Sequence, residues 1–574
     1  MNTKWITTVV VLCLCTFAVV AQNREETGPA TKDTVGGLPF AGEVDVTVVS
    51  VNVFVTDKQG FSVTDLKAED FVLTQDGTAK PISNFGLFTD EIYRSFYRKK
   101  EAPTNLPTPT PLPGSEALSK ESFRPVYVVL YFDNENSRAI DRNRLITQLR
   151  SFIRETLHPP VQMMVISYHK TYDVLQSFTA DQREINNALR EVKMTTGGRT
   201  ELDNARKDIL RLFSESERSS QRDTSSMSRA HGMMIGFAEE EANSLQFTLG
   251  AIRDTVTMLS GLPGKKIIVY VSNGLPMIAG LDLFYAYANS YHEPSAVTES
   301  TRYNMNRQFT SLVSNANAQD ISFYTFGVGG LENPTISSAE LGTRQDTMSA
   351  SLGMQNYLDP LRYMAASTGG TAVVNTNDFT QGLEKVGQDF FTYYSLGYTL
   401  HQSGLDKVHR IKVVIPGHPE YRVRYRQRFV EKSLESRVQD KVVTGLMFPL
   451  DDNPMQVMVE IGTQGPASET RWIVPFKLSF PLRTVALLPT GDEYVGNVTL
   501  FIAARNTKGD RSDVVRQNHE IRIKAADYDD AQLKRHTITA NLLMEAGGHN
   551  IAVGILDPVT RTASFTTTKV TVRE

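Results

Sequence analysis

The stretch Val126-Tyr-Val-Val-Leu-Tyr-Phe-Asp133-Asn-Glu135-Asn-Ser137 decides the fold. It begins as an unbroken apolar run and ends in a cluster of oxygen-bearing side chains. A run this short, without alternation, predicts a strand buried on both faces, as in a parallel sheet. Leu145, Leu149, Phe152 and Ile153 follow at helical spacing and share one face. Strand, polar loop and helix together open a doubly wound α/β domain. Ligands of such sheets sit beyond the carboxyl ends of the strands. Asp133, Glu135 and Ser137 fall there, and their alternate spacing can turn three oxygens toward one point.

The segment 125–400 repeats this logic. Gln162–Tyr168, Lys265–Val271 and Ile321–Phe326 read as further apolar strands. Asp181 caps a helix through Ile185, Leu189 and Val192. Gly197-Gly-Arg-Thr200 is a loop before another helix, and Ser272-Asn273-Gly274 closes a strand. Residues 214–232 are Ser/Arg-rich and read as a mobile insertion, with a helix from Phe237 to Leu259. Tyr394–Tyr398, His409–Ile415 and Tyr421–Arg426 read as strands finishing the α/β domain. Repeated βα units imply a mainly parallel sheet with helices on both faces.

On either side the pattern changes to period two. Val44, Val46, Val48, Val51, Val53 and Val55 alternate, with turns at Asp57–Gly60 and Asp76-Gly77. Residues 42–98 therefore read as a small β (Ig-like) domain. Asp57, Asp70 and Asp76 are turn residues without calcium-loop spacing. The alternating prolines of 99–124 make an extended linker. Many short alternating segments in 436–574 predict a C-terminal β-sandwich. The α/β domain itself spans 125–430.

The chain has 574 residues, enough for about three or four domains. Its formal net charge is −4, with no basic block, so nucleic acid is not an expected partner. Residues 1–21 read as a signal peptide: Lys4, the apolar run Ile6–Val20, and Val19-Val20-Ala21 before Gln22. Residues 22–41 read as a flexible leader. No later stretch is long enough to span a bilayer, so the expected location is secreted or periplasmic, with no transmembrane segment after cleavage. Both cysteines, Cys13 and Cys15, lie in the signal segment. A chain cleaved there has no thiol, which excludes disulfides, zinc–thiolate sites and cysteine nucleophiles. No His-Glu-x-x-His, phosphate loop or Gly-x-Ser-x-Gly elbow is present.

This ordered set resembles the von Willebrand factor A (VWFA) family. The strand into Asp133-Asn-Glu135-Asn-Ser137, the Gly197–Thr200 loop and the strand into Ser272-Asn273-Gly274 carry the likeness. The wider layout is similar to the VWFA-related proteins abundant in acidobacteria. Its marks are Val53–Gly60, Asp70-Phe71, Asp76-Gly77, Leu262–Lys266, Thr368-Gly-Gly370 and Tyr394–Tyr398. The resemblance implies a metal-ion-dependent adhesion site holding Mg2+ or Mn2+, with Asp-x-Ser-x-Ser, a Thr and an Asp on three loops. Asp133, Ser137 and Thr200 match. Glu135 stands where Ser is usual and Asn273 where Asp is usual, so the site is degenerate. Glu135 can restore the lost carboxylate, or close the ion to outside ligands. Alternatively these side chains hydrogen-bond the loops together and no ion is held. The expectation is an exported, non-enzymatic binding, adhesion or scaffold protein that docks a protein or cell-envelope ligand. The alternative is an exported hydrolase or an accessory subunit of an envelope enzyme complex, with the insertions 214–246 and 276–318 contributing to its site.

Overall fold

The computed structural model describes residues 46–101, 125–218, 224–331, 347–401, 406–450 and 452–573. The signal peptide 1–21, the leader 22–41 and nearly all of the linker 99–124 lie outside them. The described chain is mixed α/β, with one mixed central sheet and several all-β regions.

Four strands come first: β1 (Val46–Thr56), β2 (Val72–Gln75), β3 (Thr78–Lys80) and β4 (Asn84–Phe88). The central sheet follows, from β5 (Val126–Asp133), β6 (Val161–His169), β7 (Thr171–Thr179), β8 (Lys265–Ser272), β9 (Ile321–Gly327) and β10 (Ala372–Val373). Its order is β10-β9-β8-β5-β6-β7. All its neighbours pair parallel except β7, which runs antiparallel to β6 at the edge. Counted within the sheet, that is the doubly wound order 3-2-1-4-5-6. The reversal of direction falls between β5 and β8, so the switch point lies at the ends of those two strands.

Every residue of β8, and all but Tyr127 of β5, is buried. The helix Ala139–Thr156 lays Leu145, Leu149, Phe152 and Ile153 on one face of the sheet. Leu245, Leu249, Ile252 and Val256 of the helix Thr224–Met258 cover the other. That helix begins thirteen residues before Phe237, so most of the Ser/Arg-rich segment read as mobile is helical. Its first half packs Met234, Phe237 and Ala238 on Phe213, Phe284 and Tyr287. The two insertions thus share a small apolar core of their own.

The strands that the sequence places at the end of the α/β domain have other partners. β11 (Tyr393–His401) pairs with β1 and β4, and β13 (Arg422–Tyr425) pairs with β1. β12 (Lys407–Val414) pairs with β2 and with β14 (Arg428–Glu431). Residues 46–88 and 393–431 therefore form one two-sheet sandwich, and the α/β domain is an insertion within it. The burial of β1 explains why. Val49, Val51, Val53 and Val55 point into the sandwich core, while Phe54 on the opposite face packs with Phe88, Tyr93 and Tyr393 against the α/β domain. A strand buried on both faces needs neighbours on both edges, and these come from the far side of the insertion.

The helix Leu434–Gly445 leads into the last module. Its strands are β15 (Met458–Ile461), β16 (Gly465–Pro466), β17 (Arg471–Pro481), β18 (Leu488–Thr490), β19 (Glu493–Asn506), β20 (Val515–Lys524), β21 (Arg535–Glu545), β22 (Gly547–Asp557) and β23 (Thr562–Val572). One sheet is built on β17, with β15, β16 and β21 beside it. The other is built on β19, with β18, β20, β22 and β23. Val474, Phe476 and Leu478 face Leu500, Ile502, Ile551 and Val553 between them. No described helix is long and apolar enough to cross a membrane.

Candidate functional site

The end of β5 carries Asp133, fully buried. Its Oδ1 accepts the Asn136 backbone N–H at 3.1 Å. The Asn136 amide donates to Oδ2 at 3.0 Å, and the Tyr270 hydroxyl of β8 donates to the same oxygen. Burial pushes the Asp133 carboxyl up to about 6, against these hydrogen bonds, which favour the ionised form. Asn136 is the knot of the rim. Its amide also reaches Thr248 Oγ1 at 3.2 Å, and its carbonyl accepts the Asn273 N–H at 3.0 Å.

The second loop closes on the first. Gly198 N donates to the Asn134 carbonyl at 2.9 Å. A Cβ on Gly197 would sit 2.2 Å from the Ser137 carbonyl oxygen, so only glycine fits there. The third loop is fixed by Asn273. Its Oδ1 accepts the Arg138 N–H at 3.2 Å, at the start of the helix Ala139–Thr156, and its Nδ2 donates to Asp141 at 2.8 Å. Asp141 is paired in turn with Arg138 and Arg144, each at 2.7 Å. An aspartate at 273 would bring a second carboxylate to Asp141, so the amide is what this rim requires.

The three loops thus meet at the switch point. The five side chains singled out from the sequence do not share one environment. Asp133 faces hydrogen-bond donors and Asn273 bridges Arg138 and Asp141. Glu135 lies 3.3 Å from His169 Nδ1, without hydrogen-bond geometry. Ser137 Oγ is buried with no hydrogen-bond partner among the described residues. Thr200 is exposed on the first turn of the helix Arg199–Arg218. Magnesium wants about six oxygen lone pairs turned inward. Two amide donors and a hydroxyl proton turned on Asp133 are the opposite arrangement, so the donor set does not fit a divalent cation. No group of three or more His, Cys, Asp or Glu side chains suited to a metal occurs among the described residues.

Beside the rim is a buried charged network that sequence patterning does not mark. Arg199, next to Thr200, stacks on the Tyr357 ring at 4.1 Å and bonds Asp203 at 2.9 Å. Tyr357 donates to Glu241, whose other oxygen accepts the Gly280 N–H at 2.8 Å. Arg206 holds Asp282 at 2.6 Å. Burial raises the Glu241 carboxyl. The charged and aromatic members sit in ordinary-looking helices: Arg199, Asp203 and Arg206 in Arg199–Arg218, Glu241 and Asp282 in the two insertions, and Tyr357 in Thr347–Ser367. Only their burial sets them apart. Leu275 N–H donates to the Tyr357 carbonyl at 3.0 Å, which ties the network to the third loop.

No family model and no curated protein matches the sequence. Several solved structures overlap it weakly. One is an aerotolerance-related membrane protein from Bacteroides fragilis, at 11% identity and TM-score 0.23, covering 46% of this chain and 98% of that one. Another is the vWF domain of the type V pili tip protein Mfa5 from Porphyromonas gingivalis, also at 11% and 0.23, covering 46% and 95%. The pilus adhesin SpaC from Lactobacillus rhamnosus GG, in an open conformation, overlaps at 9% and 0.23, covering 78% and 52%. Overlaps this weak identify neither a family nor a role.

Proposed function

We propose that this chain is an exported, non-enzymatic binding or scaffold protein with a VWA-like α/β domain. Its docking surface is the rim formed by residues 133–141, 194–200, 247–248 and 272–274. The supporting observation is the pairing of a rigid, hydrogen-bonded rim with large apolar side chains at its margin. Ile140 is 76% exposed, Met194 86% and Phe247 74%. Each stands within four residues of a rim hydrogen bond or close backbone approach: Arg138 for Ile140, Gly197 and Gly198 for Met194, and Thr248 for Phe247. Exposed apolar groups on a preorganised rim suit a protein partner. In this reading Asp133, Asn136 and Asn273 hold the rim in shape, and no ion is needed at Glu135, Ser137 or Thr200.

The test is capture of envelope proteins on immobilised wild type and on an Ile140→Ser/Phe247→Ser variant, both in EDTA. The wild type should retain a partner that the variant loses, at unchanged melting temperature. Equal capture by both, or capture that requires magnesium, would overturn the reading.

A further inference from the structure

An edge strand left open is a template for another chain, and folded proteins blunt such edges with charges, bulges or covers. Three of the long edge strands here are blunted. β7 meets β6 through register shifts near Val165. β20 carries Arg516, Glu520, Arg522 and Lys524. β23 is covered: Phe565 N–H donates to the Asp452 carbonyl at 2.8 Å, and Gln464 donates to the Thr571 carbonyl at 3.0 Å.

β21 has none of these devices. Its 11 residues, Arg-His-Thr-Ile-Thr-Ala-Asn-Leu-Leu-Met-Glu, hold no proline and no charged residue between Arg535 and Glu545. Its register with β17 runs unbroken from Arg535↔Pro481 to Glu545↔Arg471. Among the described residues, no backbone group of 536–544 is hydrogen-bonded outside that pairing. Leu543 is an exposed large apolar residue on its outer face.

We propose that β21 is a self-association edge, at which a second copy of this chain adds antiparallel across a two-fold axis through Ala540. The strand is its own complement. Reversed on that axis, Arg535 falls opposite Glu545 of the second copy at both ends. Thr537 falls opposite Leu543, and Thr539 opposite Asn541. The faces match as well: 535, 537, 539, 541, 543 and 545 are all exposed, while Ile538 and Met544 are buried. A slip of one residue would oppose inward and outward side chains, and parallel pairing would stack like charges. In the single chain Arg535 donates across β17 to the Ser479 and Gln456 carbonyls, at 2.8 and 2.7 Å, so pairing with Glu545 of the second copy turns its guanidinium to the free edge. Ile538 and Leu542 of the two copies would join one continuous core face.

Sedimentation of the full chain over a concentration series reads this directly. The expected result is a species of twice 64.0 kDa. Glu545→Arg sets Arg against Arg535 at both ends and should weaken association about tenfold. Mixing it with Arg535→Glu chains should give a heterodimer, in which both ends are again complementary. In a chain with Cys13 and Cys15 changed to Ser, Ala540→Cys should form a disulfide-linked dimer, because that position meets itself on the axis. Leu543→Cys should not, since its two copies lie six residues apart along the pair. A monomer at every concentration, unaltered association of Glu545→Arg, or equal cross-linking of Leu543→Cys would overturn the proposal.

Discussion

The two ends of β8 show two ways of burying polar groups. At its start Lys265 enters the seam between the α/β domain and the 46–88/393–431 sandwich. Its Nζ lies 4.6 Å from the Phe54 ring centre and 4.4 Å from that of Tyr393, and it donates to the Asp389 carbonyl. Both oxygens of Asp389 beside it accept from Arg424 Nη2, at 2.9 and 2.8 Å, and one also accepts from the Tyr324 hydroxyl at 3.0 Å. At its other end Ser272 and Asn273 join the rim around Asp133. The seam balances full charges across two modules. At the rim the buried Asp133 is held by neutral donors alone, from Asn136 on its own loop and Tyr270 on β8. Seams of the first kind hold modules together, and rims of the second kind hold a surface in shape.

The largest break in this comparison comes at the seam. Arg424→Met strips the guanidinium partner from a buried carboxylate, a change that typically costs about 3–5 kcal/mol. Urea unfolding should show that loss, while Ile140 and Phe247 keep their exposure. At the rim, Asp133→Ala removes the acceptor for Asn136 and Tyr270 and should cost about 2–3 kcal/mol. Asp133→Asn keeps one acceptor and should cost less.

Acidity separates the ends further. Burial lowers Lys265 from 10.5 to about 7. Between those values the unfolded chain binds a proton that the folded chain does not, so this group's contribution rises with pH and is lost as pH falls through about 7. Its slope is up to about 1.4 kcal/mol per pH unit, and Lys265→Met should flatten stability measured from pH 7 to 9. Asp133 runs the other way. Its folded value of about 6 lies above 3.8, so its contribution is full below 3.8 and is lost as pH rises through about 6. The smallest expected effect is that of Asn273→Asp. It sets a carboxylate against Asp141 and should cost about 1 kcal/mol, without rescue by magnesium.

The strand of the opening stretch and its following helix were legible because burial on both faces and helical spacing leave direct marks in sequence. The meeting of the three loops was implied by the family resemblance, and the strand order that brings them together is visible only in the fold. What the Asn at 273 does was not legible, because its meaning lies in Asp141, a helix residue with no pattern of its own. The sandwich of β1 with β11 was hidden for a different reason: Val46 pairs with His401, and alternation says that a strand has a buried face but not which distant strand completes it. The Ser/Arg-rich start of the helix Thr224–Met258 looked like loop because its apolar residues serve a local core between insertions. Arg199 carries no mark in sequence, because its role lies in the ring of Tyr357, far along the chain.

The account stands on a rim locked by protein hydrogen bonds. A melting scan of the wild type and Asp133→Ala, in excess magnesium and in EDTA, tests that most directly. The expected result is one wild-type melting temperature in both solutions, and a lower one for Asp133→Ala that magnesium does not change. A wild-type rise of about 5–10 °C with magnesium, as an ion at about 100 times its dissociation constant would give, absent in Asp133→Ala, would contradict it.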